Sequence, residues 1–449
     1  MTLDLLRQPQ EYQKIELDKK RWLVRYILLV GVAVILAFKV YIVLYATQIN
    51  VLVGIYSFIT TFVLFAYLFF AYLKYKDPYD SAQYIDVRNS GPLVSVVIPV
   101  KNEEGIIKKC VMSCLDSTYQ NKEIIVIQDA STDNTPQILD EMQKEYKNLR
   151  VVHLTNNLGK KKAVETGIDI ASGEILIPVD SDTVVTEDAI EKAVKILLSD
   201  KGIGAVTAHI KEGVEGATGG GNTIQKIKDV WLDNSCRILK GLESSFSSLT
   251  CCCGPFTAYR REAIRPFVHA WANDRFLGKE FKFATDRRLT AYVLGARMGK
   301  NNNQLWKLKY SPSVLVYCTE PDTLSKLIKQ QIRWRKSFIR SIFATGKLYW
   351  ERPFPAAIVY YLQAGLKILR PLIVLQTFLM IPFGGDYLSP IYYFSGVLFV
   401  GMIYGIDYRL RNPGNPNWLY RPLLSLLSIS VFVWLLPYAA LTLRKTTWR

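Results

Sequence analysis

Apolar and polar positions along the 449-residue chain fall into three regimes. In the first, residues 23–45 are apolar apart from Arg25 and Lys39, and residues 51–73 carry no charge. Each run reaches the roughly 20 residues that a helix needs to cross a bilayer. The short uncharged link at 46–50 makes the pair a hairpin. Arg7, Lys14, Lys19, Lys20 and Arg21 flank one outer end, and Lys74 and Lys76 the other. An excess of Lys and Arg marks the cytosolic side. A cytosolic tail over 1–21 and a two-helix membrane hairpin over 22–74 are therefore expected, with both hairpin ends inside.

In the second regime, from Pro92, short apolar runs alternate with helical spacing. Strands are predicted at 93–98, 123–127, 151–154, 173–177 and 203–208, and helices at 103–115, 133–146, 160–171, 187–198 and 222–242. Repeated β-α-β of this kind predicts an α/β domain with a doubly wound, mostly parallel sheet, here over 92–320. Neither Gly-x-Gly-x-x-Gly after the first strand nor a Walker A motif is present, which weakens dinucleotide and P-loop readings. The glycine-rich stretch 213–221 reads either as a lid or as a loose surface loop.

The third regime begins at 321–352, where Lys326, Lys329, Arg333, Arg335, Lys336 and Arg340 interleave with an apolar stripe. This is the pattern of an amphipathic helix at a membrane surface. Residues 353–449 follow, with apolar candidates at 356–381, 391–408 and 419–443. Lys367 and Arg370 lie well inside the first. Ionisable residues in a span face a bundle interior or an aqueous path, so both are expected to line a channel. Pro437 can kink the third. Three crossings put the C-terminus outside; four, or one re-entrant segment, put it inside.

The net charge of +17 fits nucleic acid, anionic lipid headgroups, or phosphorylated and acidic substrates. The apolar runs, and basic residues concentrated beside them, favour the last two over nucleic acid. There are seven Cys, including Cys251, Cys252 and Cys253, and three His (His153, His209, His269). Their spacing suits neither a disulfide framework nor zinc, and reduced thiols are expected. Cys110 and Cys114 share a helix face, as packing residues do.

The chemistry is concentrated where the strand ending at Ile177 gives way to Pro178-Val179-Asp180-Ser181-Asp182-Thr183. Ligands of open parallel sheets bind at the carboxyl ends of strands. Side chains two apart on a strand share a face, so Asp180 and Asp182 are expected to point out together. Two adjacent carboxylates ask for a cation between them, and Mg²⁺ or Mn²⁺ is the natural one, because it also takes phosphate oxygens. The alternative is a pair of strand-end caps. Lys160, Lys161 and Lys162 open a predicted helix, where cations are disfavoured; a bound anion would account for them.

The motifs then assemble in one order: Pro99, Asp129-Ala130-Ser131, Gly159-Lys160-Lys161, Asp180-Ser181-Asp182, Cys253-Gly254-Pro255, Asp286-Arg287-Arg288-Leu289-Thr290 and Gln330-x-x-Arg333-Trp334. This resembles the processive, membrane-embedded family-2 glycosyltransferases, the cellulose, chitin and hyaluronan synthases, over about 92–345, with the membrane layout extending it to the whole chain. The nearest likeness is to the hyaluronan synthases. Cys251-x-x-Gly254-Pro255 resembles their Cys-x-Ser-Gly-Pro, Asp286-Arg287-Arg288-Leu289-Thr290 their Asp-Arg-His-Leu-Thr, and Trp448 a tryptophan of a gating tail. The departures are Cys253 for Ser, Ala284-Thr285 for Gly-Asp, and Arg449 after Trp448 where the family has Gly-Thr.

The resemblance implies a GT-A type domain on the cytosolic side of a multi-pass plasma-membrane protein. It implies inverting transfer of N-acetylglucosamine and glucuronic acid from UDP-sugars to a growing polysaccharide, followed by export. Asp286 would be the catalytic base, held ionised by Arg287 and Arg288; a helix cap is the bland alternative. Asp182, with Asp180, would hold Mg²⁺ or Mn²⁺. Asp129 would meet the uracil or ribose, and Lys160 or Lys161 the nucleotide. Gln330 and Arg333 would serve the donor, with Arg333 neutralising the departing diphosphate. Trp334 would stack on the acceptor sugar beside Cys251, Gly254 and Pro255. The expected partners are UDP-N-acetylglucosamine, UDP-glucuronate, the nascent chain and lipid. Rival readings are a chitin-type synthase using UDP-N-acetylglucosamine alone, a single-transfer enzyme acting on a lipid-linked sugar, and a transporter or scaffold that merely binds nucleotide-sugar.

Overall fold

A computed structural model describes residues 23, 26–27, 29–41, 50–87, 91–213, 221–280, 285–299 and 302–445. At its centre are strands β1 (Val94–Val100), β2 (Lys122–Asp129), β3 (Leu149–Leu154), β4 (Ile175–Pro178), β5 (Thr183–Val185), β6 (Ile203–Glu212), β7 (Thr257–Arg260) and β8 (Lys307–Cys318). They form one sheet in the order β3-β2-β1-β4-β7-β6-β8-β5. β1 is buried along its whole length. Val96 and Ile98 enter the core on one face and Val97 the core on the other, as expected of a strand covered on both sides.

On the first face pack α3 (Ile107–Leu115), α4 (Thr135–Glu145) and α6 (Ala189–Ser199), through Cys110, Val111, Leu139, Ile190 and Val194. On the second pack α5 (Lys160–Ile170), α8 (Arg261–Ala272) and α9 (Thr285–Gly295), through Val164, Ile168, Ile264, Leu289 and Val293. The predicted strands and helices are all present with shifted ends. All seven cysteines are free thiols, Cys110 and Cys114 among the buried ones.

Three strands were not foreseen, and they make the sheet mixed. β7 runs antiparallel to both β4 and β6, and β5 antiparallel to β8. The twelve-residue β8 is parallel to β6, but its register slips between Ser311 and Leu315, around Pro312. Proline cannot donate to a ladder, and the slip destroys the two-residue period by which a strand is read. A second correction concerns Asp180 and Asp182. β4 ends at Pro178, and the Thr183 amide donates to the Asp180 carbonyl at 3.0 Å. The two aspartates therefore sit on a turn between β4 and β5, not on one face of a strand.

Among the described residues, four helical stretches are long and apolar enough to cross a membrane: Val51–Ala82, Phe354–Phe383, Leu388–Arg411 and Pro416–Leu441. Of the predicted first crossing, the continuous described part is Leu29–Tyr41 (α1). The buried Lys39 ammonium of α1 donates to Ser57 Oγ at 2.7 Å and Thr61 Oγ1 at 2.8 Å on α2 (Val51–Phe69), which closes the hairpin from within. The last stretch is broken into α13 (Arg421–Leu427), a π-helical turn (Ser428–Phe432) and α14 (Leu435–Leu441). The break precedes Pro437, which lies in the first turn of α14.

The α/β domain and the apolar helices meet at α7 (Thr223–Asn234). Asp229 on α7 accepts from the Tyr408 hydroxyl and, at 2.9 Å, from Asn417 Nδ2. Asn234 donates to Asp407 Oδ2 at 3.2 Å on α12 (Leu388–Arg411), and Asp407 also binds Arg411 and the Tyr72 hydroxyl. Asp407 and Asn417 are fully buried, so leaving any of these groups unpaired would cost on the order of 1–3 kcal/mol.

Gly167 sets the distance between α5 and the sheet: a Cβ there would lie 2.3 Å from Val97 Cγ1. Gly167→Val should therefore destabilise the protein by about 1–3 kcal/mol of overpacking, read as a lowered melting temperature of the detergent-purified chain. An unchanged melting temperature would show that α5 can lift away freely.

Candidate active site

The β4–β5 turn, the start of α5, the loop before β7 and the start of α9 line an open cavity whose volume, counted out into solvent, is about 400 Å³. Its walls include Pro99, Lys160, Asp180, Cys253, Gly254, Trp271, Thr285 and Asp286. Lys160 leaves the first turn of α5 and bonds Asp180 Oδ1 at 2.5 Å. The ion pair with Asp180 and the nearby Asp286 and Asp182 outweigh the burial of the Lys160 ammonium and raise its pKa. Burial first, and then the charge of Asp180, push the Asp182 carboxyl up to about 7. Lys160 compensates Asp180 directly, so Asp182 is the carboxylate short of positive charge.

That imbalance fits a hard divalent cation. Mg²⁺ and Mn²⁺ sites of this type use one or two carboxylates and draw the remaining oxygens from substrate phosphates and water. Among the described residues no cluster of three or more His, Cys, Asp or Glu could cage a metal on its own. Asp180 and Asp182 are the donors on offer.

Asp286 lies in the first turn of α9, where the helix N-terminus favours a carboxylate. The Thr285 hydroxyl donates to Oδ1 at 2.7 Å. Gly254 faces the carboxylate so closely that a Cβ would sit 2.9 Å from both oxygens. The absent side chain keeps that face of Asp286 clear. Arg288 does not pair with Asp286, contrary to the sequence expectation. Its Nε reaches Asp274 Oδ2 at 3.3 Å, and its guanidinium stacks on the Tyr292 ring at 4.3 Å.

The other candidates separate. Asp129 is committed locally, accepting from the amides of Leu158 at 2.7 Å and Gly159 at 2.8 Å. It thereby shapes the entry to α5, where Gly159 has φ +84°. Of the two lysines, Lys160 lines the cavity, whereas Lys161 is buried toward Asp274, Glu280, Arg288 and Arg340. The Cys251 carbonyl accepts from Lys240 Nζ at 2.8 Å, and the Pro255 carbonyl from the Asp180 amide at 3.4 Å. Trp448 and the 214–220 part of the glycine-rich stretch lie outside the described residues.

Gln330, Arg333 and Trp334 lie on α10 (Leu324–Tyr349). Gln330 Nε2 donates to Glu320 Oε2 at 3.0 Å, and its buried Oε1 has no partner among the described residues. Burial lowers the Arg333 pKa against the opposing pull of Glu320 and Asp182, so its guanidinium feels the Asp-x-Asp turn. Trp334 is 37% exposed and meets Trp231 edge to face at 5.9 Å. Sequence reasoning missed what holds this ring. Lys228, with no exposed surface, stands 4.3 Å from the Trp334 centroid and 3.1 Å from Glu320. Its three-residue spacing from Trp231, 4.9 Å away, is the signal that could have flagged it.

Cations continue from the cavity toward the apolar helices. Arg335 on α10 is lowered to about 10 by burial and then by Arg370 and Arg287. Lys367, on α11 (Phe354–Leu375), feels Arg287 and Arg335 and lies 5.0 Å from the Phe338 ring. The Arg370 side chain hydrogen-bonds Tyr393.

Residues 95–267 match Glycosyl transferase family 2. The chain is 30% identical over 258 residues to an N-acetylglucosaminyltransferase of Rhizobium meliloti (strain 1021), covering 56% of this chain and 57% of the relative. It is 26% identical over 413 residues to a hyaluronan synthase of Streptococcus pyogenes serotype M3 (strain ATCC BAA-595 / MGAS315), covering 88% of this chain and 90% of the relative. It spans little more than half the length of the rhizobial relatives, 57%, 57% and 52%. Among solved structures, the mannosyltransferase PcManGT from Pyrobaculum calidifontis, in complex with GDP-Man and Mn2+, superposes with a TM-score of 0.51 at 17% identity. That superposition covers 87% of this chain and 99% of the other. The likeness is one of fold, and it identifies the mixed sheet as GT-A type.

Lys228→Met should strand a buried Glu320 and destabilise the protein by about 3–5 kcal/mol. Lys228→Met/Glu320→Gln should recover most of that loss. Thermal unfolding of the three proteins decides it: equal melting points for single and double variants would mean the pair does not compensate.

Proposed function

We propose that this chain, whose residues 95–267 form a glycosyl transferase family 2 domain, is a processive, hyaluronan-synthase-like enzyme of the membrane. It would transfer sugars from UDP-sugar donors to a growing polysaccharide and export the product. The observation that carries the reading is one cavity that brings Asp286, held by Thr285 and bared by Gly254, to the Lys160–Asp180 pair. Inverting transfer requires a base for the acceptor hydroxyl and positive charge for the leaving diphosphate.

In this reading Asp286 takes the acceptor proton through Oδ2, the oxygen that Thr285 does not use. The acceptor oxygen then attacks the anomeric carbon from the face opposite the diphosphate. Lys160 and Arg333 neutralise the leaving group, and Arg333 suits it as a planar fork. A divalent cation on Asp182 and Asp180 would supply Lewis-acid neutralisation of the diphosphate. Trp334 offers an apolar face to the acceptor sugar, and Lys228 and Glu320 hold that ring and Gln330 in place.

The row Arg287, Arg335, Lys367 and Arg370 leads from the residue after Asp286 into α11. None of the four has a carboxylate within ion-pair distance among the described residues. Unneutralised cations, three of them half-buried and Lys367 exposed, suit an anionic product, which favours a uronate-bearing polymer over a neutral one. With four helices able to cross a membrane, this supports a multi-pass protein with its catalytic domain on the cytosolic side.

The deciding assay supplies purified protein and Mg²⁺ or Mn²⁺ with UDP-N-acetylglucosamine, UDP-glucuronate, or both. High-molecular-weight, hyaluronidase-sensitive product with both donors only is expected. Polymer from UDP-N-acetylglucosamine alone would move the assignment to chitin-type synthesis, and turnover of neither would refute the donor class. Asp286→Asn should cut transfer by about 10²–10⁴-fold while donor affinity, measured by calorimetry, stays within about threefold. Retained transfer would remove Asp286 from the base role. Arg370→Leu should shorten or block exported product without changing donor binding, and full-length export would sink the channel assignment.

A further inference from the structure

We propose that Cys253 is a modification site, a nucleophilic sulfur in the cavity wall that reacts with peroxides and soft carbon electrophiles and thereby closes the site, with Cys236 resolving its oxidised form. The effect on activity rests on the sugar-transfer reading; the sulfur chemistry does not.

The geometry is built around one ammonium. Lys240 Nζ lies 2.6 Å from Cys253 Sγ and also donates to the Cys251 carbonyl. Four residues before Lys240 on the same segment, the buried Cys236 faces the Cys253 sulfur. The Cys253 backbone is fixed at both ends: its amide donates to Thr207 Oγ1 at 2.8 Å, and its carbonyl accepts from Thr257 Oγ1 at 2.7 Å. Cys253 is part-exposed and shares the cavity with Asp286, whereas Cys236 is buried.

The charged and titratable groups facing the sulfur are Lys240, Cys236, Cys251 and Asp286. Cys236 and then Lys240 bring the Cys253 thiol down to about 6, against burial and the opposing charge of Asp286. Burial moves Cys251 the other way, to about 12. At neutral pH Cys253 is the thiolate of the trio, and the thiolate is the nucleophile.

With a peroxide the balance closes. The thiolate attacks one oxygen, an S–O bond forms, the O–O bond breaks and hydroxide leaves. Sulfur is oxidised to the sulfenic acid by two electrons while the peroxide is reduced by two. The Cys236 thiol then attacks that sulfur, an S–S bond forms, the S–O bond breaks, and the departing hydroxide takes the thiol proton as water. Either an alkyl group or the disulfide changes the wall beside Asp286 and removes the anionic partner of Lys240.

The full chain in detergent is pulsed with iodoacetamide across pH 5–9, and each cysteine is quantified by mass. Cys253 should label at least about tenfold faster than Cys251 at pH 7, with a midpoint near 6. Lys240→Met should move the midpoint upward and Lys240→Arg should not. Hydrogen peroxide should give a Cys236–Cys253 disulfide and loss of UDP release, both reversed by dithiothreitol. Whatever transfer Cys253→Ser retains should resist peroxide. Equal labelling of Cys251 and Cys253, or inactivation of Cys253→Ser at the rate of the parent, would overturn the proposal. So would selective labelling that leaves transfer intact. The labelling is read by mass, so a protein that transfers no sugar at all would count against the sugar-transfer reading and not against the thiolate.

Discussion

Helix α7 carries Lys228, Asp229, Asp233 and Asn234, all buried, and each is compensated by a different part of the chain. Lys228 turns to Glu320 and the tryptophans; Asp229 and Asn234 turn to Tyr408, Asn417 and Asp407. Asp233 turns to Arg237 at 3.0 Å and to His209 at 3.2 Å. Burial keeps His209 neutral, lowering it to about 4. A buried polar group without its partner is expensive, so this one helix admits few relative placements of the sheet, the amphipathic helix and the apolar helices. The cavity lies on the far side of that constraint. Lys228 and Glu320 hold Trp334 and Gln330 on α10, and Arg333 on the same helix feels Asp182.

Within the cavity the same logic works at shorter range. Lys160 is shared among Asp180, Asp182 and Asp286 but hydrogen-bonds only Asp180. In the proposed mechanism one of the other two would hold the cation and the other take the proton. The division is achieved by placement: Asp286 enters from a helix N-terminus, Asp180 and Asp182 from a turn.

Much of this was legible in the chain. The strands β1, β2 and β4 are short, strongly apolar runs buried on both faces, whereas the edge strand β3 shows only through Val151, Val152 and Leu154. Asp286 and Lys160 could be placed together because their motifs stand in a recognisable order. Two strands escaped because they are short and antiparallel, and β8 because Pro312 breaks its period. The commitment of Asp129 to two backbone amides, the turn of Arg288 to Asp274 and the role of Lys228 depend on residues 14 to 92 positions away. Local patterning carries no trace of such pairings. Lys240 beside Cys253 was invisible for the same reason, although the triple cysteine itself was plain.

The π-helical turns at Gln376–Met380 and Ser428–Phe432 each interrupt an otherwise helical apolar stretch, and a third, Phe70–Lys74, ends α2. Such a turn is geometrically one extra residue in the helix, and one residue is about 100° of rotation. The faces before and after it are therefore phased independently. A lineage could trim or extend these helices by a single residue at the π turn, re-aiming everything downstream toward lipid or toward the bundle without altering the hydropathy of the segment. Such a change would leave the count of membrane crossings intact while exchanging which side chains they enclose.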